Sequence, residues 1–236
     1  MAEATVIVTM FGRTGNWPDI RAGVRKQRAK CNLWVWDNRG GPTLRGADAQ
    51  FMSPQNLICW PRWFIAAHAP TDLVVIADDD LVFGDRDVVG DLCDAVRRER
   101  PGTLVGAEGV SLRRGASYWP RERRLIECPA DVKGGDSSVH VRNVVRDVRV
   151  DILKGRCIAA RRSDLADLPL APPYAVNGDD IVVSALIAGK RAKAHVVTAS
   201  LTGRLKDCAN ARGPMALSAL SGWREHRDAV RRHYFK

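Results

Sequence analysis

The hydrophobic pattern begins with an unbroken run, Ala4 to Met10, rich in β-branched residues. It predicts a strand buried on both faces. Phe11 to Trp17 follows as a loop with two glycines, and Pro18 to Arg28 as a helix with proline in its first turn. Leu33 to Asp37 is a second strand, stopped by the turn chemistry of Asn38-Arg39-Gly40-Gly41-Pro42. A short extended piece from Ala49 to Met52 precedes a helix over Leu57 to Ala69, despite Pro61, and an apolar strand over Asp72 to Ala77. In Asp85 to Arg98, Val88, Val89, Leu92, Ala95 and Val96 recur at helical spacing opposite charged positions, which predicts an amphipathic helix. Thr103 to Ala107 is the next strand. This alternation predicts an α/β fold, a mainly parallel sheet with helices on both faces.

From Val110 to Val150 the rhythm breaks into short alternating segments with glycine and arginine, an irregular insert with a hairpin or loop around Lys133-Gly134-Gly135. Beyond it the pattern predicts a strand over Asp151 to Ala160, a short helix over Arg162 to Leu168, a break at Ala171-Pro172-Pro173 and a helix over Asp179 to Ala188. A last strand, His195 to Thr198, and a basic helix, Gly222 to Tyr234, complete the order. The 236 residues, 45% hydrophobic and 27% charged, suffice for one large core. We expect a single domain over 1-236, made of two halves, 1-109 and 110-236. No apolar run approaches the roughly 20 residues that span a bilayer, and the chain starts on a strand rather than a signal core, so the expectation is a cytoplasmic protein without a transmembrane segment. Six scattered cysteines with no C-x-x-C pair argue against a zinc site or a dense disulfide scaffold.

The formal charge of +10 changes the picture of the partners. It favours a polyanion, such as nucleic acid or an acidic membrane surface, over a small neutral metabolite. Basic residues gather after position 96, at Arg97-Arg98, Arg113-Arg114, Arg121 to Arg124, Arg142 to Arg149, Arg161-Arg162 and Arg224 to Lys236.

The candidate chemistry sits at the end of the strand Leu73 to Ala77, in Asp78-Asp79-Asp80. Adjacent carboxylates raise one another's pKa, so an ionised run is costly without a cation. A hard divalent cation, Mn2+ or Mg2+, with oxygen ligands and a bound phosphate would remove that cost, and ligand sites in open α/β sheets lie outside the carboxyl ends of strands. A second pair, Asp179-Asp180, opens a helix. Asn177 can cap that helix, which leaves the two carboxylates free for acid–base or electrostatic work.

These motifs resemble the GT-A fold nucleotide-sugar glycosyltransferases, whose D-x-D motif ends a core strand. The fuller pattern resembles the exostosin-like hexosaminyltransferases. In these a D-D-D run is followed about a hundred residues later by N-x-D-D-I, here Asn177-Gly178-Asp179-Asp180-Ile181, and Ser221-Gly222-Trp223-Arg224 with Arg231-Arg232 is similar to the family's terminal helix. Val35-Trp36-Asp37-Asn38 resembles the broader family that includes bacterial and phage enzymes. The resemblance implies a GT-A type, Rossmann-like fold in which Asp80 binds the metal, Asp78 contacts the ribose or a metal water, and Asp79 lies near the donor sugar. It further implies that Thr9, Phe11, Arg13, Asp37, Asn56 and Arg62 line the nucleotide pocket and that Arg232, or its neighbour Arg231, holds the diphosphate. Asp180 would be the general base of an inverting reaction or position the acceptor in a retaining one. His195 and His226 are candidate extra ligands.

The implied partners are a UDP-sugar or similar donor and an anionic acceptor, with hydroxymethylated DNA fitting the charge. Two other readings use the same residues. Asp78-Asp79-Asp80-Leu81-Val82 also satisfies the D-x-D-x-V motif of haloacid-dehalogenase-type phosphohydrolases, with Lys154 as their lysine. The basic charge alone would suit a nucleic-acid-binding module, although zinc-finger, helix-turn-helix and RNA-binding motifs are missing.

Overall fold

In the computed structural model of the chain, residues 1–113, 118, 138–170, 177–209 and 221–235 are described. The expected hairpin at Lys133-Gly134-Gly135, the break at Ala171-Pro172-Pro173 and Arg121 to Arg124 lie outside them. The first half follows the hydrophobic pattern closely: β1 (Ala4–Met10), α1 (Trp17–Arg25), β2 (Cys31–Asp37), β3 (Ala49–Met52), α2 (Pro61–Ala67) and β4 (Leu73–Asp78). Pro61 begins α2 instead of interrupting it, because proline's missing N–H costs nothing in a first turn. A short strand β5 (Leu81–Phe83) and the amphipathic α3 (Val88–Arg98) follow. Then come β6 (Val105–Gly106), β7 (Glu108–Ser111), β8 (Val139–Arg142), β9 (Val148–Val150), β10 (Ile152–Leu153), β11 (Cys157–Arg161), α4 (Asp179–Ala188), β12 (His195–Val197), β13 (Leu205–Asp207) and α5 (Trp223–Tyr234). The expected strand over Asp151 to Ala160 is therefore two strands, which join different sheets.

The main sheet has the order β3-β2-β1-β4-β11-β6-β12-β9. β1, β2, β3 and β4 run parallel, and β6 and β12 parallel to each other, while β11 runs antiparallel to both β4 and β6. From β1 the chain moves outward through β2 and β3, then returns to place β4 on the other side of β1. The crevice between β1 and β4 is thus a topological switch point, where ligands enter open α/β sheets. Two smaller sheets, β10-β7-β8 and β13-β5, flank this edge.

The burial pattern explains why both faces are covered. Every residue of β1 is buried, as its continuous apolar run requires. On one face Val6, Val8, Val35, Val75 and Ala77 pack with Trp17, Ile20 and Val24 of α1 and Val89, Leu92 and Val96 of α3. On the other face Ile7, Trp36, Val74 and Ile76 pack with Trp63 and Ala66 of α2, Ile181 to Val183 of α4 and Val230 of α5. The alternation Val6/Val8 against Ile7 is the period-2 rule of a strand sandwiched between helix layers.

His195 belongs to this core, not to a metal site. It is fully buried, its Nδ1 accepts from the Leu104 N–H at 3.1 Å, and its Nε2 donates to the Ser184 carbonyl at 2.8 Å. Both ring nitrogens are spent, which overturns its candidacy as a ligand. Burial, aided by Arg191 and Arg149, outweighs the Ser184 hydrogen bond and lowers its pKa from 6.5 to about 4. For a base depressed in the folded state, the stabilising contribution is whole above the unfolded value and is lost as pH falls through the folded one. Folding should therefore lose up to ~3 kcal/mol from this residue alone between pH 6.5 and 4. Thermal denaturation of wild type and His195→Asn across that window checks it, and parallel curves for the two proteins would refute the assignment.

Candidate active site

The carboxylate run lies at the switch point, at the exit of β4. Thr9 of β1 stands in register with Asp78. Each of the three carboxylates has a different environment. Asp79 turns into the protein: its Oδ2 accepts the Phe11 N–H at 2.7 Å and its Oδ1 accepts from Arg13 Nη1 at 2.7 Å, while its carbonyl accepts from Asn16 Nδ2. It ties the β1 exit loop to the β4 exit, so its side chain is occupied by the protein rather than open to a sugar. Asp80 receives the same Arg13 nitrogen on Oδ2 at 3.2 Å, and its Oδ1 is buried without a hydrogen-bond partner, 4.0 Å from Arg156 Nη2. Asp78 gives one oxygen to Arg62 Nη1 at 2.7 Å.

The electrostatics follow from this placement. Although the Asp78 side chain keeps 32% exposure, the protein around it removes enough solvent to raise its pKa to about 6, against the lowering influence of Arg62 and with a further push from Asp80. Burial also raises Asp79 and Asp80, with guanidinium groups pulling the other way.

Arg62, expected to line the nucleotide pocket, is buried and ion-paired within the protein. Its side chain is 2% exposed and joins the two acidic motifs: Nη1 holds Asp78, while Nε and Nη2 hold Asp179 Oδ2 at 3.1 and 2.8 Å. Trp63 Nε1 donates to the same oxygen at 2.6 Å. Gly155 makes room for this clamp, since a Cβ there would collide with Arg62 Nη2. Asp180 is equally engaged, accepting from Arg227 Nη2 at 2.8 Å on both oxygens, from its neighbour Ile181 N and from Gly155 N at 3.3 Å. Arg227 also donates to the Tyr118 hydroxyl at 2.6 Å. Burial would raise the Asp180 pKa, but the charge and hydrogen bonds of Arg227, helped by Arg62, hold it below the usual carboxylate value. Asp180 is therefore a fixed anion of weak basicity, better matched to holding charge than to accepting a proton.

Asn177 does not cap α4. Gly178 takes the N-cap position with a φ of 130°, a conformation that favours glycine, and the Asn177 side-chain oxygen is buried without a partner. The Asn177 N–H donates to His226 Nε2 at 3.3 Å, so His226 serves the backbone here. At the C-terminus Arg232 is exposed, whereas Arg231 is buried and donates to the Arg113 carbonyl at 3.2 Å.

On the β2 side, Asp37 is buried and closes its own turn, accepting from Arg39 N, Gly41 N and Gln50 Nε2. Asn56 Oδ1 accepts from Asn38 Nδ2 and Ile58 N. Both shape the loop beside the switch point through backbone and side-chain contacts. At the exits of β1 and β4 the Thr9 hydroxyl, Nε and Nη2 of Arg13, and Oδ1 of Asp80 are buried without hydrogen-bond partners. Buried polar groups are ordinarily satisfied. Sequence reasoning missed Glu108 and Arg156, whose roles depend on contacts from distant segments.

Among the described residues no group of three or more His, Cys, Asp or Glu can by itself enclose a metal ion. A cation at Asp80 and Asp78 would have to be completed by oxygens of a ligand and by water, which suits Mg2+ or Mn2+ bound with a diphosphate. The partnerless Asp80 Oδ1 and the hard oxygen donors fit such an ion. No described helix is long and apolar enough to cross a membrane.

No family model matches the sequence, and neither does any curated protein. Among solved structures, the mannosyltransferase PcManGT from Pyrobaculum calidifontis, in complex with GDP-Man and Mn2+, matches 79% of this chain at 18% identity with a TM-score of 0.54. S. aureus TarS 1-349 matches 79% of the chain at 14% identity and a TM-score of 0.49. The matches span only 52% and 55% of those two chains, about half their length. The match to the mannosyltransferase shows a shared fold, a mixed α/β architecture with a large, mainly parallel sheet; in this chain the carboxylate run lies at the β1/β4 exit of that sheet.

Proposed function

We propose that the chain is a metal-dependent glycosyltransferase that moves a sugar from a nucleotide-sugar donor, a UDP-sugar as the first candidate, to an acceptor hydroxyl. The observation that carries this reading is the Asp78-Asp79-Asp80 run at the β1/β4 switch point, with Asp80 Oδ1 buried and without a hydrogen-bond partner. The fold is shared with a mannosyltransferase that binds GDP-Man and Mn2+, which supports a nucleotide-sugar and makes a GDP-sugar the second candidate.

In this reading Asp80, with Asp78, holds Mn2+ or Mg2+. When bound, the cation would neutralise charge developing on the leaving diphosphate. Arg13 keeps two guanidinium nitrogens free for phosphate oxygens while its third fixes Asp79 and Asp80. Thr9 supplies a hydroxyl at the same exit. Asp79 and Asp37 hold the two loops that form the nucleotide pocket. Asp180, a fixed anion below the Gly155–Arg156 segment, favours positioning and charge stabilisation over general-base catalysis, with Asp179 holding Arg62 behind the run. The phosphohydrolase alternative needs its aspartates at the end of the first strand of its domain; here they end β4, which β1, β2 and β3 of the same sheet precede in sequence. The net charge of +10 supports an anionic acceptor, and hydroxymethylated DNA is the acceptor we propose.

A thermal-shift panel of UDP-, GDP- and dTDP-sugars with and without Mn2+ tests the donor. At about 100 times its Kd, the right nucleotide adds ~2.7 kcal/mol of apparent stability, dependent on the metal. Silence across the whole panel would refute the reading. Labelled sugar should then pass to hydroxymethylated DNA, and transfer to neutral saccharides alone would exclude the DNA acceptor.

A further inference from the structure

Across Asp80 from the nucleotide candidates lies a cavity of about 410 Å³, lined among others by Glu108, Arg142, Asn143, Arg156, Thr202 and Asp207. The sheet order separates the two sides: Thr9, Asp37 and the β3 exit lie on the β1–β2–β3 side of β4, while β6 and the segments after it lie on the other. The volume matches a sugar- or nucleotide-sized ligand. Its charged wall comes from distant parts of the chain: Glu108 begins β7, Arg142 ends β8, Arg156 precedes β11 and Asp207 ends β13.

Formally the charged wall is neutral, Glu108 and Asp207 against Arg142 and Arg156, but the pairing is uneven. Glu108 and Arg142 are opposite one another in the antiparallel β7–β8 pair. Glu108, however, gives Oε1 to Arg156 Nη1 at 2.9 Å and Oε2 to His140 Nε2 at 3.1 Å. Although burial raises its pKa, those partners together with Lys154 hold it well below the usual carboxylate range, so it is a committed anion. Asp207 pairs with Arg156 at 2.5 Å. Arg142 has no ion-pair partner among the described residues, although it is only partly exposed. A half-buried guanidinium without an anion is an incomplete arrangement. Arg156, which organises this wall, also stands 4.0 Å from Asp80, so the cavity and the carboxylate run share one guanidinium.

We infer that this cavity is the acceptor subsite and takes a phosphate-bearing group of sugar or nucleotide size. Arg142 meets the phosphate, and Asn143 and Thr202 supply hydrogen bonds to the rest of the group. The acceptor role rests on the glycosyltransferase reading; the phosphate preference rests on the cavity alone.

The experiment is ligand-observed NMR on the full chain with ribose 5-phosphate and ribose as probes, in the presence of Mn2+ and the nucleotide that stabilises best. Wild type should bind ribose 5-phosphate and prefer it to ribose. Arg142→Gln should weaken ribose 5-phosphate by about 10- to 100-fold, the loss of one charge-assisted contact, with the nucleotide response unchanged. Arg142→Lys should recover most of the binding, which separates charge from any effect on folding. Equal binding by wild type and Arg142→Gln, or no preference over ribose, overturns the inference even if sugar transfer is intact. If no nucleotide binds but ribose 5-phosphate still depends on Arg142, the transferase reading falls and the phosphate site stands. A short DNA duplex that displaces ribose 5-phosphate identifies a nucleic-acid backbone as the source of the phosphate; failure to displace it identifies a small phosphorylated acceptor.

Discussion

On the proposed glycosyltransferase reading, Asp80→Asn should reduce sugar transfer by about a thousand-fold or more, the ~4 kcal/mol expected when a metal-held leaving group loses its ion. The variant should also lose the Mn2+-dependent thermal shift with nucleotide. The fold should survive, because Arg13 keeps Asp79 and Arg156 keeps Glu108 and Asp207. Asparagine retains the shape and an oxygen but not the charge, so the loss would report on the ion and not on packing. Wild-type transfer by Asp80→Asn, or an undiminished Mn2+ response, would remove Asp80 from the metal site. A melting temperature that collapses without any ligand would instead show that Asp80 is structural.

The largest effect on stability is expected at Arg62. Arg62→Ala leaves Asp179 buried without its cation and Asp78 without its ion pair, and breaking one side of a buried pair costs about 3–5 kcal/mol. For a chain of this length that corresponds to a fall of roughly 10 °C in melting temperature. Asp179→Asn should cost less, since an amide oxygen can still accept from Arg62 and Trp63. Combining Arg62→Met with Asp179→Asn should cost less than the sum of the single changes, because neither buried charge is then left alone. Chemical denaturation of the set measures these differences. A loss below about 1 kcal/mol for Arg62→Ala would place the guanidinium in solvent and restore it as a ligand contact.

These two residues show how far the sequence could be read. Asp80 is legible because its signal is local: five apolar residues predict β4, and a carboxylate run at a strand end announces itself within eight positions. Arg62 is not legible in the same way. It looks like one more charge on a short helix, and its principal partner lies 117 residues away. Asn177 was expected to cap α4 because asparagine favours that position, but the positive φ at Gly178 moves the cap by one residue. His195 looked like a possible ligand, and only the register of β12 against β6, with α4 packed above, shows that both its nitrogens serve the backbone.

By itself the sequence determined the strands β1, β2, β3 and β4, the helices α3 and α4, the mainly parallel α/β class, and the exits at which acidic residues leave the sheet. Hydrophobic periodicity is a property of neighbouring residues, so it survives without knowledge of the rest of the chain. Only the tertiary structure decided which carboxylates are spent and which remain available. Strand order brings Arg13 to Asp79, Arg62 between Asp78 and Asp179, Arg227 onto Asp180 and Arg156 beside Asp80, in pairs separated by up to 117 residues. Charge pairing depends on distances of a few ångströms, and those distances are set by topology, which no local pattern encodes.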